Sequence, residues 1–306
     1  MESKPHCLIV MGMAGSGKSS FVKRLYATLA MQDKEVLGMN LDPAIRQLSF
    51  PAHIDICTSI NFPQLMQEYS LGPNGGILTA LNAYATRFNE AVALLKARTE
   101  MQYILVDTPG QMEAFSWSAS GMIITDALAS EFPTTLIYVI DSTRVQNPNS
   151  FMSNMLYATS VYFKTRLPLL LVFTKNDLAP ADEAFAWMDD FEVYMASLDR
   201  CDSYVSSLNR SLALVIDEFY KDLPRTQVSS YTGAGFDQLE EVLAASRQEY
   251  LTSYLPELQA RRASLETQRQ DDALTRFEEE RQQDAEGMEA IQKLMAQVKM
   301  SRNELS

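Results

Sequence analysis

The stretch Gly12-Met-Ala-Gly15-Ser16-Gly17-Lys18-Ser19 constrains this chain more than any other. It fits G-x-x-x-x-G-K-S/T in full. An apolar run at residues 7–11 precedes it, and a stretch of helical spacing at 21–31 follows. Strand, glycine loop and helix in that order make a phosphate cradle. The glycines let successive backbone N–H groups turn inward, and the helix N-terminus adds the positive end of its dipole. Lys18 is placed to neutralise β and γ phosphates, and the Ser19 hydroxyl to ligate Mg2+. Gly12, Ala14, Gly15, Ser16, Gly17, Lys18, Ser19 and Ser20 are the expected contacts.

Such a loop needs a sheet behind it. Short runs rich in Ile, Leu and Val recur at 36–41, 103–106, 136–140 and 169–173, with a shorter one at 227–228. Little polar alternation breaks the longer runs, as expected of strands covered on both faces. Helical stretches separate them, so the expected fold is α/β, a doubly wound, mostly parallel sheet. Helical insertions are expected at about residues 62–98, 112–132 and 185–220. With 306 residues, 46% of them hydrophobic, the chain can bury a large core. Residues 1–255 read as one domain. From 256 to 306 the chain turns charged and polar, which predicts a helical or partly disordered tail. In it Met288, Ile291, Leu294, Met295 and Val298 form one helical stripe, suited to a partner.

Asp107-Thr-Pro-Gly110-Gln111 follows the third apolar run. A carboxylate at a strand end can hold a magnesium shell, directly or through water. Gly110 lets a backbone N–H reach the γ-phosphate, a contact that lasts only while that phosphate does. Farther on, Thr174-Lys175-Asn176-Asp177 closes another run. The Asp177 carboxylate can accept from the guanine ring N–H and its exocyclic amine. Adenine lacks that donor pair and would leave the acid unpaired. The Lys175 stem packs along the base. Thr174 stands where Asn is commoner, with an expected loss of loop-bracing hydrogen bonds. Ser229-Ser230-Tyr231-Thr232-Gly233 ends the last run. A backbone N–H there can donate to guanine O6, which makes Ser229, Ser230 and Thr232 candidates. P-loop, DxxG, TKxD and SSxTG come in the order of guanine-binding loops. This weighs against a nucleoside or metabolite kinase, which would want an arginine-rich lid.

Asn40-Leu41-Asp42-Pro43-Ala44 closes the second run. Asp42 would point toward the γ-phosphate, where it could orient or deprotonate a water, and it joins Ser19 and Asp107 as a candidate metal ligand. By propensity Asp-Pro is equally a turn start. Gly72-Pro73-Asn74 by itself is a tight loop opening a helix. With all these motifs at these intervals, the chain resembles the GPN-loop GTPases, and within them the first eukaryotic paralogue group. Trp117-Ser-Ala-Ser-Gly-Met-Ile-Ile-Thr125, Phe151-Met-Ser-Asn-Met-Leu-Tyr157 and Val228–Phe236 carry the finer likeness.

The resemblance implies a P-loop NTPase of SIMIBI type that hydrolyses GTP with Mg2+. It implies a constitutive dimer, homodimeric or with a paralogous GPN-loop GTPase. Asn74 would act in trans on the partner's phosphates, with Gly72 and Pro73 fixing the loop. Asp42 would be the water-orienting base, ahead of Gln111. It also implies an assembly and nuclear-import factor with RNA polymerase II subunits as clients. A nucleotide-stabilised scaffold with incidental turnover is the alternative. A metallochaperone-type GTPase of the same superfamily is disfavoured by the lack of His or Cys clusters.

The formal net charge of -13 disfavours direct nucleic-acid binding. Cys7, Cys57 and Cys201 are scattered, and His6 and His53 lie far from paired ligands. Neither a disulfide framework nor a zinc site is expected. No apolar run reaches the ~18 residues of a membrane helix, and the first residues do not read as a signal peptide. The expected compartment is cytoplasmic, with passage to the nucleus left open.

Overall fold

The computed structural model describes residues 4–199, 204–260 and 263–264. The tail stripe and Cys201 lie outside them. Contacts divide the chain into a unit Met1–Tyr254 and a unit Leu255–Ser306. No described helix is long and apolar enough to cross a membrane.

The first unit begins β1 (His6–Gly12), α1 (Lys18–Met31), β2 (Val36–Asn40) and β3 (Ile54–Asp55). Then come α2 (Ile56–Ser59), α3 (Phe62–Glu68), α4 (Pro73–Ala85), α5 (Phe88–Lys96) and β4 (Tyr103–Asp107). After α6 (Met112–Phe115) and α7 (Ala119–Glu131) follow β5 (Thr134–Asp141), α8 (Pro148–Thr165) and β6 (Leu169–Thr174). Three helices, α9 (Asp182–Asp189), α10 (Phe191–Asp199) and α11 (Tyr204–Lys221), lead to β7 (Arg225–Gln227) and α12 (Phe236–Glu249).

The strands form one sheet in the order β3-β2-β4-β1-β5-β6-β7, and every pairing is parallel. The expected mostly parallel, doubly wound α/β fold is therefore realised in all-parallel form. The central strands are mostly apolar because water reaches neither face: all seven residues of β1 and all eight of β5 are buried. Below the sheet, Leu8, Val10, Ile137 and Val172 pack with Phe21 and Leu25 of α1 and Leu239 and Leu243 of α12.

The two edge strands are where the sequence pattern was weakest. β3 is only two residues long and has no periodicity to read. β7 begins at Arg225, ahead of the apolar run at 227–228. As an edge strand it tolerates the polar Arg225, Thr226 and Gln227. The stretches expected as helical insertions contain α3–α5, α6–α7 and α9–α11. Gly72 caps α4 with Pro73 in its first turn, where a missing N–H costs nothing. Asn147 caps α8 by accepting from Asn149 and Ser150 N–H, again with Pro in the first turn.

Because all strands are parallel, their carboxyl ends share one edge. β1 lies between β4 and β5; the chain runs from β1 to β2 on one side, and later crosses from β4 to β5 on the other. The P-loop sits at this switch point, where α/β sheets open a crevice. Gly12, Asn40, Asp107, Asp141 and Thr174 are each the last residue of their strand.

Candidate functional site

Gly12, Gly15 and Gly17 all adopt positive φ, at 152°, 79° and 91°. A Cβ at Gly12 would meet the Val139 carbonyl oxygen at 2.4 Å, so the loop cannot hug β5 with any other residue. Gly17, left-handed, caps α1. Ser16 N–H donates to Met13 O at 3.1 Å and closes the loop. Ala14, Gly15, Ser19 and Ser20 are exposed, which leaves the rim open to a ligand.

Lys18 is buried and its Nζ donates to Gly12 O at 3.3 Å. Asp107 is 2% exposed, and one of its carboxylate oxygens, Oδ1, has no partner. Burial pushes the Asp107 carboxyl up to about 7; Lys18 opposes the rise and Asp42 adds to it. Burial also raises Asp42, against the Ala44 N–H, Lys18 and the Gly110 N–H. The Lys18 amine is lowered by burial, with Asp107 and Asp42 opposing. One buried lysine thus interacts with two acids that burial raises, a cluster that an added cation and a polyphosphate would complete. The unpartnered Asp107 Oδ1 fits Mg2+, which takes one or two carboxylates and keeps the rest of its shell for phosphate and water. The Ser16 hydroxyl, also buried, is without a partner as well.

Gln111 and Asn74 lie at the rim. Gln111 caps α6, and its Nε2 donates to Asn74 Oδ1 at 2.8 Å. Asn74 stands in the first turn of α4 and, like Gly72 and Pro73, is exposed. The fold thus brings the Gly-Pro-Asn triplet beside the loop after Gly110 of the same chain.

The base end is wired differently. Asp177 Oδ1 accepts from the Ser229 hydroxyl at 2.6 Å, and that oxygen accepts from Thr232 N–H at 3.1 Å. Lys175 adopts φ +61° and reaches back, donating to Gly15 O at 3.1 Å and Asp141 Oδ2 at 2.7 Å. Burial would raise the Asp141 carboxyl, but the bonds from Lys175 and Thr143 outweigh it, and the carboxyl is held below its ordinary value. A cavity of about 450 Å3 opens here, lined by Ser20, Arg24, Lys175, Asp177, Ser230 and Tyr231 among others.

One expectation is adjusted. Thr174 in place of Asn does not cost the loop its bracing: its hydroxyl lies 2.6 Å from Ser16 O and 3.1 Å from Ile140 O. In the SSxTG loop, Ser229 and the Thr232 N–H are turned inward, and Ser230 faces the cavity. Sequence reasoning missed Asp141, the ion-pair partner of Lys175. The signal was available, since Asp141 ends the strand between β1 and β6. It also missed Arg144, whose Nη2 would lie 3.3 Å from a Cβ at Gly15, and Arg24, packed on Gly233.

A phosphate cradle, a strand-end Asp with a following Gly, and a base pocket on one sheet edge define a P-loop guanine-nucleotide hydrolase. A family model described as "Conserved hypothetical ATP binding protein" matches residues 10–249. GPN-loop GTPase QQT2 of Arabidopsis thaliana is 48% identical over 84% of this chain and 68% of its own length. GPN-loop GTPase 1 of Schizosaccharomyces pombe is 41% identical over 99% of this chain and 81% of its own. More distant relatives are named GPN-loop GTPase 2 and 3. The family description speaks of ATP, whereas the relatives are named GTPases. A solved GTPase from Pyrococcus abyssi, in apo form, shares the fold with a TM-score of 0.70 at 23% identity, over 83% of this chain and 99% of that one. The chain belongs to the GPN-loop GTPase family, in its first paralogue group, and is a GTP hydrolase.

Proposed function

We propose that this chain is one subunit of a dimeric, Mg2+-dependent GTP switch that acts as an assembly factor. The observation that carries the reading is the position of Asn74. It is exposed, at the head of α4, and bonded to Gln111 at the rim of the phosphate site. A second subunit approaching that rim would meet both side chains. In this reading Gly12 to Ser20 and Lys18 hold the phosphates, and Asp177, Lys175 and Ser230 hold the base. Ser19 and Asp107, with Asp42 through water, would hold Mg2+. Bound there, the ion would supply positive charge to offset that of the phosphates. Asp42 orients the attacking water, and Asn74 contributes to the partner's site.

GTP and GDP states then differ in the contacts of Asp42, Gly110 and Asn74, and the surrounding helices hold or release a client. Family resemblance supports RNA polymerase II subunits as clients, in the cytoplasm with passage to the nucleus. The relatives named GPN-loop GTPase 2 and 3 make a paralogue a suitable second subunit. Dimers mixed from wild-type and Asn74→Ala subunits test the in-trans role. Two unequal sites are expected, and two equal sites overturn it. Mass spectrometry of material co-purifying with GTP-locked and GDP forms tests the client. State-dependent enrichment of polymerase subunits is expected, and their absence from both forms refutes that part.

A further inference from the structure

Asn40 is the last residue of β2 and is 0% exposed. A buried amide at a strand end must find partners, and all of those found here lie on one network. Its Oδ1 accepts from Asp42 N–H at 3.0 Å, and its Nδ2 lies 3.2 Å from Asp42 O. The same Nδ2 donates to Asp55 Oδ1 at 2.8 Å. One side chain therefore grips the backbone of Asp42 at both its donor and its acceptor. The amide has one workable orientation: flipped, its NH2 would face the Asp42 N–H and its oxygen the Asp55 carboxylate.

Asp55 extends the network. It is the register partner of Asn40 on β3, and its Oδ1 also caps α2 by accepting from Cys57 N–H at 3.0 Å. The Cys57 thiol in turn lies 3.6 Å from Asp42 O. Beyond α2, the chain enters α3, whose Phe62 and Met66 close over Gly76 of α4. A Cβ there would come within 2.8 Å of Met66 Cγ. Gly76 lies two residues beyond Asn74. The chain thus leads from the Asp42 network through α2 to α3, which packs on Gly76 at the head of the Gly-Pro-Asn helix.

We infer that Asn40 is a positioning residue for GTP hydrolysis. It fixes the Asp42 backbone at the phosphate edge and ties that loop to the segment that carries Asn74. Asn40 touches no phosphate-loop residue through these bonds, so it acts through Asp42. The inference rests on the water-orienting role proposed for Asp42. A purely structural Asn40 would lower the melting temperature and leave turnover per folded site unchanged.

The test is a cycle of single-turnover GTP hydrolysis and GTP affinity on the full chain, with Asn40→Ala, Asp42→Ala and the double variant. Asn40→Ala should lower the hydrolysis rate by roughly 10- to 100-fold, as a small misplacement of a reacting group does. GTP affinity should stay within about threefold, since the phosphate and base contacts are intact. In the Asp42→Ala background, Asn40→Ala should bring no further loss. The same fractional loss in both backgrounds, or no loss with Asp42 present, overturns the inference. An unchanged rate in Asp42→Ala alone refutes the Asp42 role instead, which keeps the two failures apart. Should Asn40→Ala not fold, Asp55→Ala removes one partner from the half-buried side. It should slow hydrolysis several-fold only when Asp42 is present. An equal effect without Asp42 again overturns the inference.

Discussion

The two ends of the nucleotide crevice are built on opposite principles. At the base end the protein satisfies its own polar groups: Asp177 with Ser229, Ser229 with Thr232, Lys175 with Asp141, and Thr174 with the P-loop. At the phosphate end Asp107 Oδ1 and the Ser16 hydroxyl are buried without partners. Two acids there are pushed upward by burial around one lysine. The side chains proposed to read the base are therefore set before nucleotide arrives, and little ordering is left for binding to do. The phosphate site holds unmet electrostatic demand, which ties its stability to its ligand. Recognition is rigid, and the end where chemistry happens is the one that a ligand must complete.

Removing the lysine breaks the comparison at its weakest point. Lys18→Ala should weaken GTP binding by roughly a thousandfold, since it strips the phosphates of their cation and leaves buried Asp107 and half-buried Asp42 uncompensated. Titration with a fluorescent GTP analogue would measure it, and retained tight binding would sink the P-loop assignment. Asp177→Asn probes the prewired end. It should reduce preference for GTP over xanthosine triphosphate by roughly a hundredfold, because the new amide can donate where the carboxylate accepted. Competition between the two nucleotides reads this directly. Unchanged selectivity would refute the base-reading role.

Much of this was legible in the chain before any coordinates. Glycines, a lysine and strand-end carboxylates are fixed by local chemistry and spacing, so the P-loop, Asp107–Gln111 and Thr174–Asp177 stood out. Five apolar runs gave the central strands because strands buried on both faces have no polar alternation to obscure them. What remained hidden depends on pairing between distant segments. Asp141 reads as an ordinary strand end until β6 brings Lys175 beside it. Asn40 reads as part of a strand end until β3, only two residues long, supplies Asp55. Edge strands and buried polar partners are set by tertiary contact, and no local pattern encodes them.

The rim residues lie between the two regimes and sharpen the contrast. Asn74→Ala should slow turnover by roughly tenfold while leaving GTP affinity nearly intact, as expected for a group used in the reaction and not in ground-state binding. Steady-state hydrolysis beside equilibrium binding separates the two. Equal losses in both would move Asn74 into the ground-state phosphate site.

The smallest effect is the most direct test of unmet demand. Burial raises the Asp107 carboxyl to about 7. In the unfolded chain it titrates near the ordinary aspartate value of 3.8. Between those two values Asp107 keeps its proton in the folded, nucleotide-free protein and loses it in the unfolded chain. Its own contribution to stability therefore falls as pH rises from about 4 to 7, with the full penalty present above 7, while buried His6, lowered to about 3, works in the opposite direction. Asp107→Asn removes the ionisation and keeps the shape. Without nucleotide it should raise stability at pH 8 by about 1 kcal/mol, the scale of relieving one unsatisfied buried group. Relative to wild type, its gain in stability should grow as pH rises through that window. With Mg2+ and GTP the order should reverse, because the wild-type carboxylate then has a cation to meet and the amide does not. Thermal melts at pH 5 and pH 8, with and without Mg2+ and a non-hydrolysable GTP analogue, would measure all four corners. If the variant is no more stable than wild type at pH 8 without ligand, the buried acid is already satisfied, and the two ends of the crevice do not differ in the way argued.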